Sequence, residues 1–192
     1  MFRTESTRML LVGGLRCAQL LAFRSLAVGA RVLVRTRRPR DWAAFARGSA
    51  APDGAIVLAP PDHPFKPAPG TPLSPLLTIL DLHSGVFPVR GATDAAPGGS
   101  WEATVTLRET FGGADVTTAA GADLVLLQPL RAAEADLVGA ALGLGDVARL
   151  LTRMRPGMVG VISHQAVRWA TLSPTGVEKV LIGDPSRSAD ER

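Results

Sequence analysis

Cysteine is almost missing from this chain: Cys17 is alone among 192 residues. That excludes a disulfide framework and any zinc site built from several thiolates. Histidine is scarce as well, and His63, His83 and His164 show no metal-ligand spacing. Lysine occurs twice, as Lys66 in a proline-rich stretch and Lys179 near the C-terminus. Neither closes a G-x-x-x-x-G-K-[ST] loop, so ATP hydrolysis by that route is not expected. There is no tyrosine and aromatics make up 5%, with no arginine–aromatic interleaving of the kind that stacks bases. Nucleic acid is therefore not an expected partner. Uninterrupted apolar runs are lacking too. Residues 9–34 are the most apolar stretch, but Arg16, Arg24 and Arg31 break it, which excludes a secretory signal or a bilayer span. The expectation is a cytoplasmic protein, reaching the membrane through a partner if at all.

What is present suits one folded domain. Hydrophobic residues are 46% and charged residues 20%, neither disordered nor fibrous. The expected organisation is a single α/β domain over residues 1–183 with a flexible polar tail at 184–192. Of the 21 basic residues all but two are arginine, in a background of Ala, Gly and Pro typical of a GC-rich bacterium. Charge is uneven: residues 1–47 hold ten arginines against Glu5 and Asp41, while the remainder is net acidic. Such a basic stretch suits phosphate, an acidic partner or anionic lipid, or serves solubility alone.

Met9 to Val12 is a short apolar run ending in Gly13-Gly14. Leu15 to Val28 then places apolar residues at helical spacing, and Gly29 closes the helix. Arg31 to Thr36 alternates and reads as a strand. Strand, glycine turn, helix and strand within some 30 residues make a βαβ unit with parallel strands. A short helix is expected over 41–47 and buried strands over 55–59, 76–82 and 123–127. Seven prolines between 60 and 75 exclude a helix or central strand there. Residues 101–109 alternate cleanly, which reads as a half-exposed strand at or near a sheet edge. Helices are expected over 115–120, 131–142 and 145–155. A hairpin follows over 158–172, then a last helix capped by Ser173. The fold class is α/β, a Rossmann-like three-layer sheet, mostly parallel at the start with antiparallel strands towards the C-terminus.

The first turn almost matches G-x-G-x-x-G/A, reading Gly13-Gly14-Leu15-Arg16-Cys17-Ala18. Its middle glycine is Leu15, whose side chain is expected to plug the spot a diphosphate needs. In a cofactor reading, Gly13, Gly14 and Arg16 would meet the diphosphate of NADP, and Arg35 and Arg37 its 2′-phosphate. Asp81 and His83, at a strand end, form an Asp-x-His pair, with an ordinary strand end as the simpler account. Ser163-His164 falls at the hairpin tip. Cys17 belongs to the first helix, near enough its N-terminus to lower a thiol pKa, but the pattern puts it in the core.

The run MLLVGGLRCAQLLAFRSLAVGARVLVRT at 9–36 resembles the opening unit of the Rossmann-like superfamily. Together with GMVGVISHQAVRWATLSPTGVEKVLIG at 157–183, the chain looks similar to EccE-like soluble components of actinobacterial type VII secretion. That resemblance implies a non-catalytic scaffold with no cofactor, meeting protein partners at the cytoplasmic membrane face. The basic 31–47 segment and the strand at 101–109 would be its contact surfaces, the latter by strand addition. The alternatives are an NADP(H)-dependent oxidoreductase with a degenerate phosphate loop, and a small regulatory module that binds phosphate or nucleic acid.

Overall fold

A computed structural model describes residues 1–82, 99–163 and 166–187. The first apolar run forms β1 (Thr7–Val12), and Gly13-Gly14 turns it directly into α1 (Leu15–Leu26). Gly29, at φ +80°, ends the helix by letting the Ala30 amide reach back to the Ser25 carbonyl. There follow β2 (Arg31–Thr36), α2 (Pro39–Gly48), β3 (Ile56–Ala59), β4 (Leu76–Asp81) and β5 (Glu102–Arg108). The second half holds α3 (Val116–Ala120), β6 (Leu124–Leu127), α4 (Ala132–Leu142), β7 (Met158–Ser163), β8 (Ala166–Thr171) and α5 (Gly176–Ile182).

Among the described residues, eight strands join one sheet in the order β3-β2-β4-β5-β1-β6-β7-β8. The first six positions are parallel, and β7 and β8 run antiparallel at one side. This is an α/β fold, mostly parallel early and antiparallel towards the C-terminus. Alternation along β1 splits the core. Met9 and Leu11 face a layer built with α1, α2 and α5, where Trp42 and Phe45 meet edge to face with ring centroids 5.9 Å apart. Leu10 and Val12 face the opposite layer, built with α3, α4 and the 3-10 segment Gly145–Thr152.

Four local readings change. The strand expected at an edge, β5, lies in the middle of the sheet between β1 and β4. Its alternation is real, with Ala103, Val105 and Leu107 buried and Thr104 and Thr106 half-buried. Period-2 polarity reports how well each face is covered, not how many neighbours the strand has. It therefore offers no free edge for strand addition. Second, β1 and β2 are parallel but not adjacent, because β5 and β4 stand between them. Third, Thr175 rather than Ser173 caps α5. Its hydroxyl accepts from the Glu178 amide, and the Glu178 carboxylate accepts from the Thr175 amide. Residues 145–152 form a 3-10 rather than an α-helix.

The proline-rich stretch is ordered by two arginines of β2. Arg31 donates to the carbonyls of Ala68 and Pro69 and to the Ser74 hydroxyl. Arg35 donates to the carbonyls of Pro61, His63 and Phe65. A chain poor in amide donors thus has its carbonyls satisfied from one neighbouring strand. Among the described residues no helix is long and apolar enough to cross a membrane.

The last helix is tied down by Glu178, whose carboxylate accepts from Arg24 of α1 at 2.8 and 3.1 Å. The Arg24 hydrogen bond, foremost, pulls the Glu178 carboxyl from its ordinary 4.5 down to about 2. A carboxyl with a lowered folded-state pKa adds stability that is complete above its unfolded value and is lost as pH falls through the folded one. Wild-type protein should therefore lose stability relative to Glu178→Gln between about pH 4.5 and about 2, read from urea midpoints at each pH. A constant difference across that window would refute the coupling.

Candidate functional site

Because β1, β2, β4, β5 and β6 are parallel, their carboxyl ends share one end of the sheet. That is the end where open α/β sheets bind ligands. There the register places Val12 beside Arg108 and Leu127, and Leu107 beside Asp81. Gly13–Gly14, Thr36–Arg38, Asp81, Arg108–Glu109 and Gln128 therefore gather along a single line.

At its centre is the first turn of α1. A helix leaves its first amides without intrahelical acceptors, and they attract anions or side-chain oxygens. Here the Gly14 amide donates at 2.8 Å to Oε1 of Gln128, which is fully buried. The other end of that carboxamide, Nε2, donates at 2.7 Å to the Pro185 carbonyl. Gly13 must lack a side chain, since a Cβ there would lie 2.5 Å from Gln128 Oε1. Both halves of the carboxamide are satisfied. Breaking either link in place would cost about 1–3 kcal/mol, the penalty for an unpaired buried polar group.

Two strands from β1, about 10 Å by ordinary strand spacing, stands Asp81, only 1% exposed. Its Oδ1 accepts from Arg38 Nη2 at 2.8 Å. Its Oδ2 accepts from the Thr36 hydroxyl, Arg38 Nε and the Trp42 indole at 2.7–2.9 Å. Arg38 also pairs with Glu109. Burial alone would lower the Arg38 pKa, but hydrogen bonds to Asp81 and Glu109 outweigh it and raise it. The guanidinium is a permanent cation on this acid.

A second arginine, this one fully buried at its side chain, closes the end. Arg187 donates to both oxygens of Glu134 at 2.8 and 3.0 Å, to the Pro129 carbonyl at 3.1 Å and to the Glu109 carbonyl. Its Nε–H has no partner among the described residues. Burial pushes the Glu134 carboxyl up. The Arg187 pair and the Arg131 and Phe111 amides together bring it below its ordinary value. Residues 184–187, part of the stretch expected as a tail, thus pack into the sheet end, with Pro185 and Arg187 buried.

Of the residues expected to hold a cofactor, Gly13, Gly14 and Arg16 come together. Arg16 is exposed on the first turn of α1, next to Gly183. Arg35 and Arg37 are on β2 and just after it, three strands from β1, and Arg35 is engaged with the proline-rich stretch. Leu15 packs into the core beneath α1, so the expected plug is not the isobutyl group; Gln128 and Pro185 occupy that position. Cys17 is buried, and burial pushes its thiol up to about 12. Asp81 is bound to Arg38, while His83 and His164 lie outside the described residues. Sequence reasoning missed Gln128, Glu134 and Arg187, and placed Arg38 only within a basic contact segment, without its pairing to Asp81. Gln128 had one signal, a lone amide directly after the apolar run Leu124–Leu127.

The sequence matches no family model and no curated protein. The fold is similar to solved structures of the genome-packaging NTPase of Sulfolobus turreted icosahedral virus 2. Against its complex with ATP-γ-S the TM-score is 0.57 at 9% identity, covering 88% of this chain and 97% of that one. Against the AMPPCP complex it is 0.56 at 9% identity, covering 85% and 96%. At such identity the likeness is one of fold.

These neighbours overturn the EccE-like type VII resemblance and the non-catalytic scaffold it implied, because the solved structures that share this fold are those of a viral genome-packaging NTPase and not of a type VII component. They equally displace the oxidoreductase and the small regulatory module. The sheet gives the physical reason for the first: a βαβ dinucleotide site needs the diphosphate turn and the 2′-phosphate arginines on neighbouring strands, and β5 and β4 separate them here. Within the basic 31–47 segment, Arg31, Arg35 and Arg38 bond within the chain, while Arg37, Arg40 and Arg47 are exposed.

Asp81→Ala should destabilise the protein by about 3–5 kcal/mol in urea unfolding, the usual cost of stranding one partner of a buried pair. Arg38→Ala should cost less than that, because Asp81 keeps Thr36 and Trp42. The double variant should fall well short of the sum of the two. Additive losses would show that the pair is not coupled.

Proposed function

We propose that this chain is a nucleotide-binding domain of the NTPase type, taking the phosphate end of a nucleoside triphosphate at the Gly13–Gly14 turn. One observation carries the reading: the Gly14 amide, heading a twelve-residue helix at the carboxyl end of β1, holds an oxygen acceptor at 2.8 Å. A phosphate oxygen is the same kind of acceptor with more charge, and the helix N-terminus favours it further. Arg16, exposed on that first turn, supplies a cation where this chain has no lysine. The fold's likeness to an NTPase solved with ATP-γ-S and AMPPCP supports the choice of ligand class.

A magnesium ion does not fit the residues present. Both oxygens of Asp81 are taken by Arg38, Thr36 and Trp42, so a guanidinium stands where a divalent cation would be held. The first turn of α1, Leu15-Arg16-Cys17, carries no hydroxyl for the metal. The reading therefore concerns binding, and no hydrolytic step is derived.

Calorimetric titration of the full chain with ATP-γ-S should show saturable binding that changes less than twofold when magnesium is omitted. Arg16→Glu should weaken it at least tenfold, about 1.4 kcal/mol. NADPH should bind no better than any other polyphosphate. Absence of heat at millimolar ATP-γ-S, or binding indifferent to Arg16→Glu, would overturn the proposal.

A further inference from the structure

We infer that the segment Gly183–Arg187 is a built-in occupant of the nucleotide site, a latch that must swing out before a triphosphate can bind. The inference rests on the nucleotide-binding reading and names its regulation.

Three observations support it. First, the Gly14 amide has one hydrogen to give, and Gln128 Oε1 already receives it. A phosphate oxygen and this carboxamide compete for the same donor, so the two occupants exclude each other. Gln128 is held in that place from behind by the Pro185 carbonyl, which makes the latch and the carboxamide one unit. Second, the latch has a hinge and an anchor. Gly183, at φ +83°, is in a backbone conformation suited to glycine, directly after α5. On its helical side, α5 is fixed to the rest of the fold by Glu178 and Arg24, and Ile182 is buried in the core. Rotation at Gly183 therefore moves 184–187 without unfolding α5. Third, the closing contact is incomplete. Arg187 is fully buried at its side chain, yet its Nε–H has no partner among the described residues. Glu134, in contrast, keeps the amides of Phe111 and Arg131 when Arg187 leaves. The acid is provided for in both positions of the latch, and the arginine gains water on release.

Closure lowers the apparent affinity by the fraction of molecules that are open. Opening the latch therefore raises affinity without adding any contact to the nucleotide. The test uses the full chain. Hydrogen exchange, followed by mass spectrometry with and without saturating ATP-γ-S, should show faster exchange at 184–187 when nucleotide is present, while α5 stays protected. Arg187→Gln, which removes the anchoring charge, should bind ATP-γ-S at least tenfold more tightly than wild type, with its helical circular dichroism retained. Should that variant fail to fold, Gln128→Ala serves instead, since it frees the Gly14 amide directly. If saturating nucleotide leaves exchange at 184–187 unchanged and the folded variants bind with wild-type affinity, the latch is wrong and the binding site stands. If neither wild type nor variants bind, both are wrong.

Discussion

The hydrogen on the Gly14 amide must go to some acceptor, and the carboxyl end of the parallel strands is organised around that requirement. A parallel sheet collects helix N-termini and strand ends at one side, and that side is left with unmatched donors and buried acids. In many α/β proteins a ligand satisfies them. Here Gln128 serves the amide, Arg38 serves Asp81, and Arg187 serves Glu134. Each comes from a different part of the chain. The Gly14 amide and both acids are therefore matched by the protein's own atoms, while the Arg187 Nε–H has no partner among the described residues.

Arginine makes this possible where lysine would not. Its planar fork reaches several acceptors at fixed angles and stays charged when buried. Arg38 meets Asp81 with two nitrogens and Glu109 with a third. Arg31 and Arg35 use the same property differently, gathering five carbonyls of the proline-rich stretch onto β2. The arginine excess in residues 1–47 is thus in good part structural. A count of charges along a sequence gives no sign of how many of them are turned inward.

The strands, most helices and the mixed character of the sheet could be read from apolar periodicity and glycine punctuation, because those patterns are local. Neighbour order could not. Nothing in Thr104 or Thr106 says that β5 sits between β1 and β4, and that order decides whether Arg35 can share a ligand with Gly13. Gly13 and Gly14 were legible as a turn, and Arg16 as their companion. The identity of what fills the turn was not. Gln128 lies 114 residues beyond Gly14, and Arg187 lies 53 beyond Glu134. Contacts over such separations leave no periodic trace, and a short polar C-terminal run looks the same whether it is solvated or buried.

A ligand end that is self-satisfied also changes what stability means. In a protein whose site is open, ligand binding adds to stability in full, by the logarithm of its concentration over the dissociation constant. When an internal group holds the same donor, the ligand contributes only the excess of its own interaction over the one it displaces. In the proposed reading, the Gly14–Gln128–Pro185 chain and the Arg187–Glu134 pair are both part of the fold and a threshold against ligands. A weak or neutral acceptor cannot pass it, because it offers Gly14 nothing that the carboxamide does not. A polyanion can, since it brings charge to a helix N-terminus that the neutral Gln128 leaves uncompensated.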